Sequence, residues 1–447
     1  MSRAVHQVPF ADPPWLRGAP SPYFNASHRR FQAACREFVD ENLNKNALDW
    51  ETAEEVPSNL FEVFAKGNFI LPSLPAPLPV EWLRKLGITH MPGQVPVEEW
   101  DSLHTIIYAD EAPSPLALLL VSPLCCIMQS LSCKTDSSQI SYSGERESVS
   151  LLRSQSGFKT SLSESFTDLI SSAGSDVANI TTTATLSGNE YIINGTKKWI
   201  TNGMMADYAS MAVRTGEENS GGKGISLILV PLKNYPGVTR RRLKVAGQIV
   251  AGTSFIELDD VRVPRENLIG RENEGMKYIM HNFNHERMFI SVGVTRQARV
   301  ALSSAFAYCL QRKAFNKTLM EQPVVRHRLA KCGAILEAQW SWVESFAYQL
   351  SKMPKETADQ ELGGLTALCK ANAGIVLDEC ARCAVLLFGG NGYTRTGKGE
   401  IAEKIYREVP GARIPGGSED VLLDLAVRQL TKPFRAQLAK DTTQAKI

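Results

Sequence analysis

Apolar side chains recur every three or four positions from Ser27 to about Ala117 and again from Gly275 onward, but alternate between about Asp176 and Ile269. The first rhythm belongs to amphipathic helices and the second to strands with one buried face. In the opening stretch Phe31, Ala34, Cys35, Phe38 and Val39 fall on one helical stripe, with cap candidates in Asn25-Ala26-Ser27 just ahead of it. Further helices are predicted at Leu60–Gly67 and Glu98–Ala109, around a proline-rich loop from Leu74 to Pro79. Turn signals at Ser187-Gly188, Asn194-Gly195, Gly221-Gly222 and Pro236-Gly237 divide the middle stretch into an antiparallel β-domain. The expected fold class is α+β, with an N-terminal α-helical domain over 20–125, a middle β-domain over 173–272 and a C-terminal α-helical bundle over 273–435. Residues 126–172 break this order. Their serine-rich, weakly apolar composition from 131 to 172 reads as disorder or loop, either a genuine insertion or a misread stretch of coding sequence.

The richest segment is Gly188–Met204. Tyr191 and Ile193 alternate with Ile192 and Asn194, Asn194-Gly195 signals a two-residue turn, and a second strand carries Trp199 and Thr201. Strict alternation puts the indole and the hydroxyl on one side of the sheet. Together they suit a planar heteroaromatic ring with a hydrogen-bonding nitrogen; an ordinary buried hairpin with a core tryptophan is the competing reading.

A chain of 447 residues exceeds a single compact core, so two or three domains are expected. The 49 basic and 47 acidic residues leave a net charge of +2, too little to steer nucleic acid. No apolar run approaches the roughly 18 residues of a membrane span. Nine cysteines, among them Cys125-Cys126, read as intracellular thiols. Cys380 and Cys383 have redox-pair spacing, but with no second pair and in a helical run they read as packing, and no metal site is expected. The N-terminal residues lack a signal-peptide or transit pattern.

The Trp199 strand is similar to the flavin-contacting K-x-W-I-T-N-G strand of the acyl-CoA dehydrogenase family. Other segments follow in the family's order. Ala173-Gly174-Ser175-Asp176 resembles the end of its flavin loop, and Phe255–Pro264 resembles the strand closing its middle domain. Glu286-Arg287, Arg312–Lys317, Gly389-Gly390-Asn391-Gly392-Tyr393 and Gly416-Gly417-Ser418-Glu419 match in turn. The likeness is loose over residues 20–125 and tight over 173–435, and the chain is identified as a member.

The resemblance implies FAD as cofactor, a C-terminal four-helix bundle, and α,β-dehydrogenation of an acyl-CoA thioester to the trans-2-enoyl-CoA. It implies flavin contacts at Ser175, Trp199, Ile200, Thr201, Arg312, Phe315, Gly389, Gly390, Ser418 and Asp420, and substrate contacts at Asn284, Arg287 and Gly417. Many relatives carry the catalytic base in a Y-E-G-T motif, where this chain has Gly416. A subset, including isovaleryl- and long-chain-type enzymes, places the base on the first long helix of the C-terminal domain, before an arginine. Glu286 is therefore the expected base, and the Gly416 N–H a donor to the thioester oxygen. Leu386 replaces the family's glutamine ahead of the glycine cluster, which by itself reads as a helix C-cap and turn.

Arg287 and Arg312 lie 25 residues apart, about 38 Å if one helix spans them. No single FAD reaches both, so a homodimer or homotetramer is expected. Electron-transfer flavoprotein or oxygen would be the acceptor. The C-terminal Ala445-Lys446-Ile447 is similar to a peroxisomal address, with mitochondrial or cytoplasmic location as alternatives. The resemblance thus implies a place in fatty acid β-oxidation and lipid metabolism. An oxidase-like activity in the peroxisome, or a catalytically impaired flavin or acyl-CoA binder, are the alternative functions.

Overall fold

The computed structural model describes residues 8–112, 166–169, 174 and 176–444. Most of the serine-rich segment, Ser175 and the C-terminal tripeptide lie outside the described residues. The chain forms two compact units, Ala26–Phe283 and Met1–Asn25 with Asn284–Ile447. These units divide the chain differently from the expected domains: the helical N-terminal region and the sheet share one unit, and the first residues join the C-terminal bundle.

In the first unit, helix α1 (Ala26–Asn42) buries Phe31, Cys35 and Val39 as its spacing dictates. Helix α2 (Ser102–Glu111) is capped by Asp101, whose carboxylate accepts from the N–H groups of Leu103 and His104 at 3.0 and 3.1 Å. The same oxygen lies 3.1 Å from His28 Nε2 and 2.8 Å from His104 Nδ1. Arg36 and Gln32 of α1 hold Glu111 at the other end of α2. Burial opposes ionisation of Asp101, but the hydrogen bonds of His104 and His28 hold its carboxyl well below the usual carboxylate range. Asp101, His28 and His104 also place three ligand-type atoms within 4.8 Å of one another, with the carboxylate committed to the cap. Asp101→Ala removes a cap and the acceptor of two buried imidazoles, so we expect a loss of about 2–3 kcal/mol, read from the urea midpoint.

The sheet is mixed. Eight strands comprise β1 (Phe166–Leu169), β2 (Thr183–Ser187), β3 (Glu190–Ile200), β4 (Tyr208–Arg214), β5 (Ile225–Pro231), β6 (Val238–Arg242), β7 (Ser254–Pro264) and β8 (Leu268–Ile269). Their order is β8-β5-β4-β2-β3-β7-β6, with β1 on β4. The expectation of an antiparallel domain is corrected at β1, which pairs parallel to β4 from Phe166↔Tyr208 to Leu169↔Met211. A parallel partner needs a crossover rather than a tight turn, so turn signals cannot reveal it. The same strand corrects the loop reading of the serine-rich segment at its C-terminal end. Strand β4 is buried along nearly its whole length because both sheet faces are covered. Met211 and Val213 pack in one cluster with Ile193, Ile228 and Ile256, and Ala212 packs in another with Leu227 and Ile279.

The expected turn at Asn194-Gly195 is not one. The hairpin closes at Gly188-Asn189, with Ser187 opposite Glu190, and β3 runs unbroken to Ile200. At Asn194 the partner strand β7 holds an extra residue, since Ile193 pairs with Val261 but Gly195 with Leu258. The Asn194 amide pins that bulge, accepting from Asp260 N–H at 2.8 Å and donating to its carboxylate at 3.0 Å. Gly195 has φ 134°, and a Cβ there would stand 2.8 Å from Thr182 Cα. A second bulge falls in β3 itself between Lys198 and Ile200, at Trp199. The two bulges lie on opposite strands and cancel, so the pairing beyond Trp199 returns to its original frame.

In the other unit, α3 (Gly275–Gln311) continues into a bundle with α4 (Pro323–Lys352), α5 (Gly363–Phe388), α6 (Glu400–Arg413) and α7 (Glu419–Gln444). The division between the units falls within α3. Ser291, Ala298, Ala301, Ser303 and Ala305 are buried along it, as small residues at a helix contact should be. Cys380 and Cys383 are buried free thiols of α5, in keeping with packing. Phe10 fills the space that a Cβ on Gly333 would take, at 2.3 Å, and Arg296 and Arg299 donate to the carbonyls of Ala11 and Phe10. Among the described residues no helix is long and apolar enough to cross a membrane.

Candidate functional site

Trp199 is the extra residue of its bulge, with φ 64°. Tyr191, Ile193 and Lys197 face the core, and unbroken alternation would bury Trp199 beside them. The bulge reverses the parity: Trp199 is 57% exposed and Ile200 only 2%. The expectation that Trp199 and Thr201 share a sheet face by strict alternation is corrected accordingly, since Thr201 begins the turn after β3. Ile200 gives its side chain to the core, so only its main chain can meet a ligand. Arg240 donates to the carbonyls of Gly203 and Ala206 at 3.1 and 2.9 Å, fixing the loop that follows.

The second unit gathers residues at two ends of α3. At one end Glu286 is half-buried and Arg287 nearly wholly buried. Arg287 Nε donates to the Gly416 carbonyl at 3.1 Å. Gly416 and Gly417 adopt φ 70° and 107°, a left-handed turn between α6 and α7 open mainly to glycine. A Cβ on Gly416 would stand 2.8 Å from Ile290 Cδ1, with Arg287 Cγ and Lys370 Cε at 3.8 and 3.9 Å. Asn284 donates to Asp359 at 3.1 Å, next to this group.

Lys370, from the middle of α5, was not anticipated. It is 2% exposed and donates to the carbonyls of Arg413 and Gly417 at 2.8 and 2.7 Å. Its one sequence signal is a lone lysine inside the apolar run Leu368-Cys369-Lys370-Ala371. Burial raises the Glu286 carboxyl above the ordinary range, opposed by the charges of Arg287 and Lys370. Burial, then repulsion from Arg287, lowers Lys370 to about 8, although Glu286 and Glu419 favour its charge. The result is a half-buried carboxylate near two buried cations, raised by burial and so a better proton acceptor than an ordinary glutamate.

At the far end of α3, Arg312 follows its last residue and is exposed. Phe315 crosses a tight hairpin with φ 55° and stands 91% exposed. Gly389, with φ 61°, and Gly390 follow α5, and a Cβ on either would meet nothing within 4 Å. Asn391 donates to Tyr308 at 3.1 Å, which places the glycines beside the end carrying Arg312. An exposed guanidinium, an exposed aromatic ring and glycines open to close approach suit the diphosphate and adenine side of a dinucleotide. Ser418 caps α7, its carbonyl accepting from Leu422 N–H at 3.0 Å. Asp420 lies in the first turn of α7, where the helix dipole favours an acid.

Family models for the acyl-CoA dehydrogenase middle domain and C-terminal domain match residues 165–261 and 273–431. The chain is 59% identical over 439 residues to the acyl-CoA dehydrogenase apdG of Emericella nidulans, spanning 98% of each. It is 33% identical over 431 residues to the acyl-CoA dehydrogenase AFT10-1 of Alternaria alternata, spanning 95% of this chain and 96% of that one. An acyl-CoA dehydrogenase structure from Geobacillus kaustophilus superposes with TM-score 0.75 at 25% identity, covering 92% of this chain and all of the other.

Proposed function

The chain belongs to the acyl-CoA dehydrogenase family, FAD-dependent oxidoreductases of the CH–CH bond in acyl-CoA thioesters, and we propose that Glu286 is the base that starts the reaction in this member. One observation carries the assignment. The turn where many relatives hold their glutamate carries a left-handed glycine here, with the Ile290 methyl crowding the place of a Cβ, while Glu286 stands half-buried beside Arg287 and Lys370.

Bound FAD supplies the acceptor, at flavin N5, for the hydride leaving the β-carbon. Glu286 takes the α-proton, and the partly dry surroundings that raise its pKa also match it to an α-carbon acid. The Gly416 N–H donates to the thioester oxygen as enolate charge develops, a role that needs no side chain. Arg287 fixes that turn from below and balances the carboxylate. Trp199, the Ile200 main chain and Thr201 serve the flavin ring. Arg312, Phe315, Gly389 and Gly390 hold the distal half of the cofactor, and Ser418 and Asp420 its middle. The two clusters on α3 stand about 38 Å apart. A pair of subunits, each lending one end to the other's cofactor, satisfies that spacing.

Purified protein titrated anaerobically with butyryl-, isovaleryl-, octanoyl- and palmitoyl-CoA tests the reading through its visible spectrum. We expect a flavin band that bleaches with at least one of them. Peroxide formed on readmitting air would name oxygen as acceptor; its absence, with turnover on an added electron-transfer flavoprotein, would name the latter. A flavin-loaded protein that no acyl-CoA bleaches overturns the proposal.

A further inference from the structure

Lys370 is a buried cation beside Glu286 whose hydrogen bonds the proposed chemistry does not use. Its Nζ bonds the carbonyl of Arg413, the last residue of α6, and that of Gly417, in the turn beyond. Capping α6 accounts for the first bond but not for the second. Arg287 holds the carbonyl between, that of Gly416. In a trans peptide the carbonyl and the following N–H point in opposite directions. The Gly416 and Gly417 carbonyls are drawn to the cations of α3 and α5, so the N–H groups of Gly417 and Ser418 are turned away from them. Left-handed glycines would otherwise leave those planes free to rotate. Around Lys370 stand Arg287 and Glu286 of α3, Arg413 of α6 and Glu419 of α7, and Arg413 is itself paired with Glu419 and Asp378.

We infer that Lys370 is a positioning residue for the dehydrogenation, fixing the peptide planes of the Gly416–Ser418 turn and supplying a second positive charge opposite Glu286. The inference rests on the reading of Glu286 as base and of this turn as the thioester donor. Through the turn it holds the peptide planes on the C-terminal side of Gly416, whose own N–H is the proposed donor, and so keeps that turn in one conformation; through its charge it favours the ionised base.

The experiment uses the full-length, flavin-loaded protein and whichever of the four acyl-CoAs turns over best. In Lys370→Met we expect kcat to fall about 10- to 100-fold with KM changed far less. The rising limb of the pH profile should move up by about one pH unit, because Glu286 has lost a neighbouring cation. Infrared difference spectra of the matching enoyl-CoA, labelled with carbon-13 at the carbonyl, should lose most of their binding-induced downshift. Lys370→Gln, which keeps a donor without the charge, should retain more of the downshift while showing the same pH movement. A plain helix cap would lower the melting temperature and leave both the limb and the carbonyl band in place. That outcome overturns the inference, as does loss of flavin in both Lys370 variants. Glu286→Gln separates the two levels: full turnover in it sinks the base assignment, whereas loss there with an unchanged Lys370→Met sinks only the positioning role.

Discussion

Glu286→Gln lowers acyl-CoA turnover by about three orders of magnitude, with the flavin retained and substrate still bound. The amide keeps the shape of the carboxyl but cannot take a proton. The pH sign follows from the raised pKa of Glu286. Activity should climb with pH as the buried carboxyl ionises later than an ordinary glutamate. Stability should move the other way. A carboxyl that binds its proton more tightly folded than unfolded contributes less as pH rises through that interval, so the Gln variant should gain on the parent there. Stopped-flow bleaching and urea midpoints across the same pH series check both halves. Undiminished bleaching in Glu286→Gln would place the base elsewhere.

Lys197→Met should stabilise the protein at pH 7 and cease to do so near pH 9. Lys197 is wholly buried in the sheet, donates to the Ala212 carbonyl at 2.6 Å, and takes part in no ion pair among the described residues. Burial brings its pKa from 10.5 to about 7. The unfolded chain then binds the additional proton between those values, so the parent's stability rises with pH across that window. At pH 7 the mismatch costs about 4 kcal/mol, and at pH 9 about 2 kcal/mol. Methionine removes that cost but leaves the Ala212 carbonyl unpaired, a loss of roughly 2 kcal/mol. The expected net gain is therefore about 2 kcal/mol at pH 7 and near zero at pH 9. Equal urea midpoints for parent and variant at pH 7 would show that the amine is solvated after all.

Helices were legible wherever burial follows local spacing, as along Phe31, Cys35 and Val39 of α1. The turn expected at Ser187-Gly188 falls one residue on, at Gly188-Asn189. The role of Asn194-Gly195 was not legible, because whether those residues turn the chain or pin a bulge depends on an extra residue in β7, some 65 positions on. The resemblance gives Trp199 as a ligand contact, and the residue is exposed. Alternation alone would have buried it, and only the second bulge explains why it is not. The proposal of Glu286 as base has a sequence signal, since the missing carboxylate at Gly416 is itself written in the chain. Lys370 was not legible, since its acceptors are main-chain atoms 43 and 47 residues away and carbonyls carry no sequence signature.

The Ile290 methyl occupies the space above Gly416, which couples the turn to the helix face that carries Glu286. Returning a glutamate to the turn would require that methyl to swing aside and a residue other than glycine to accept a left-handed backbone. Glu286 and Ile290 share a helix face one turn apart, so the proposed base and the residue that crowds the alternative position are carried on the same rigid element. On the reading of Glu286 as base, a change in the base's position would thus involve both the turn and the helix that faces it.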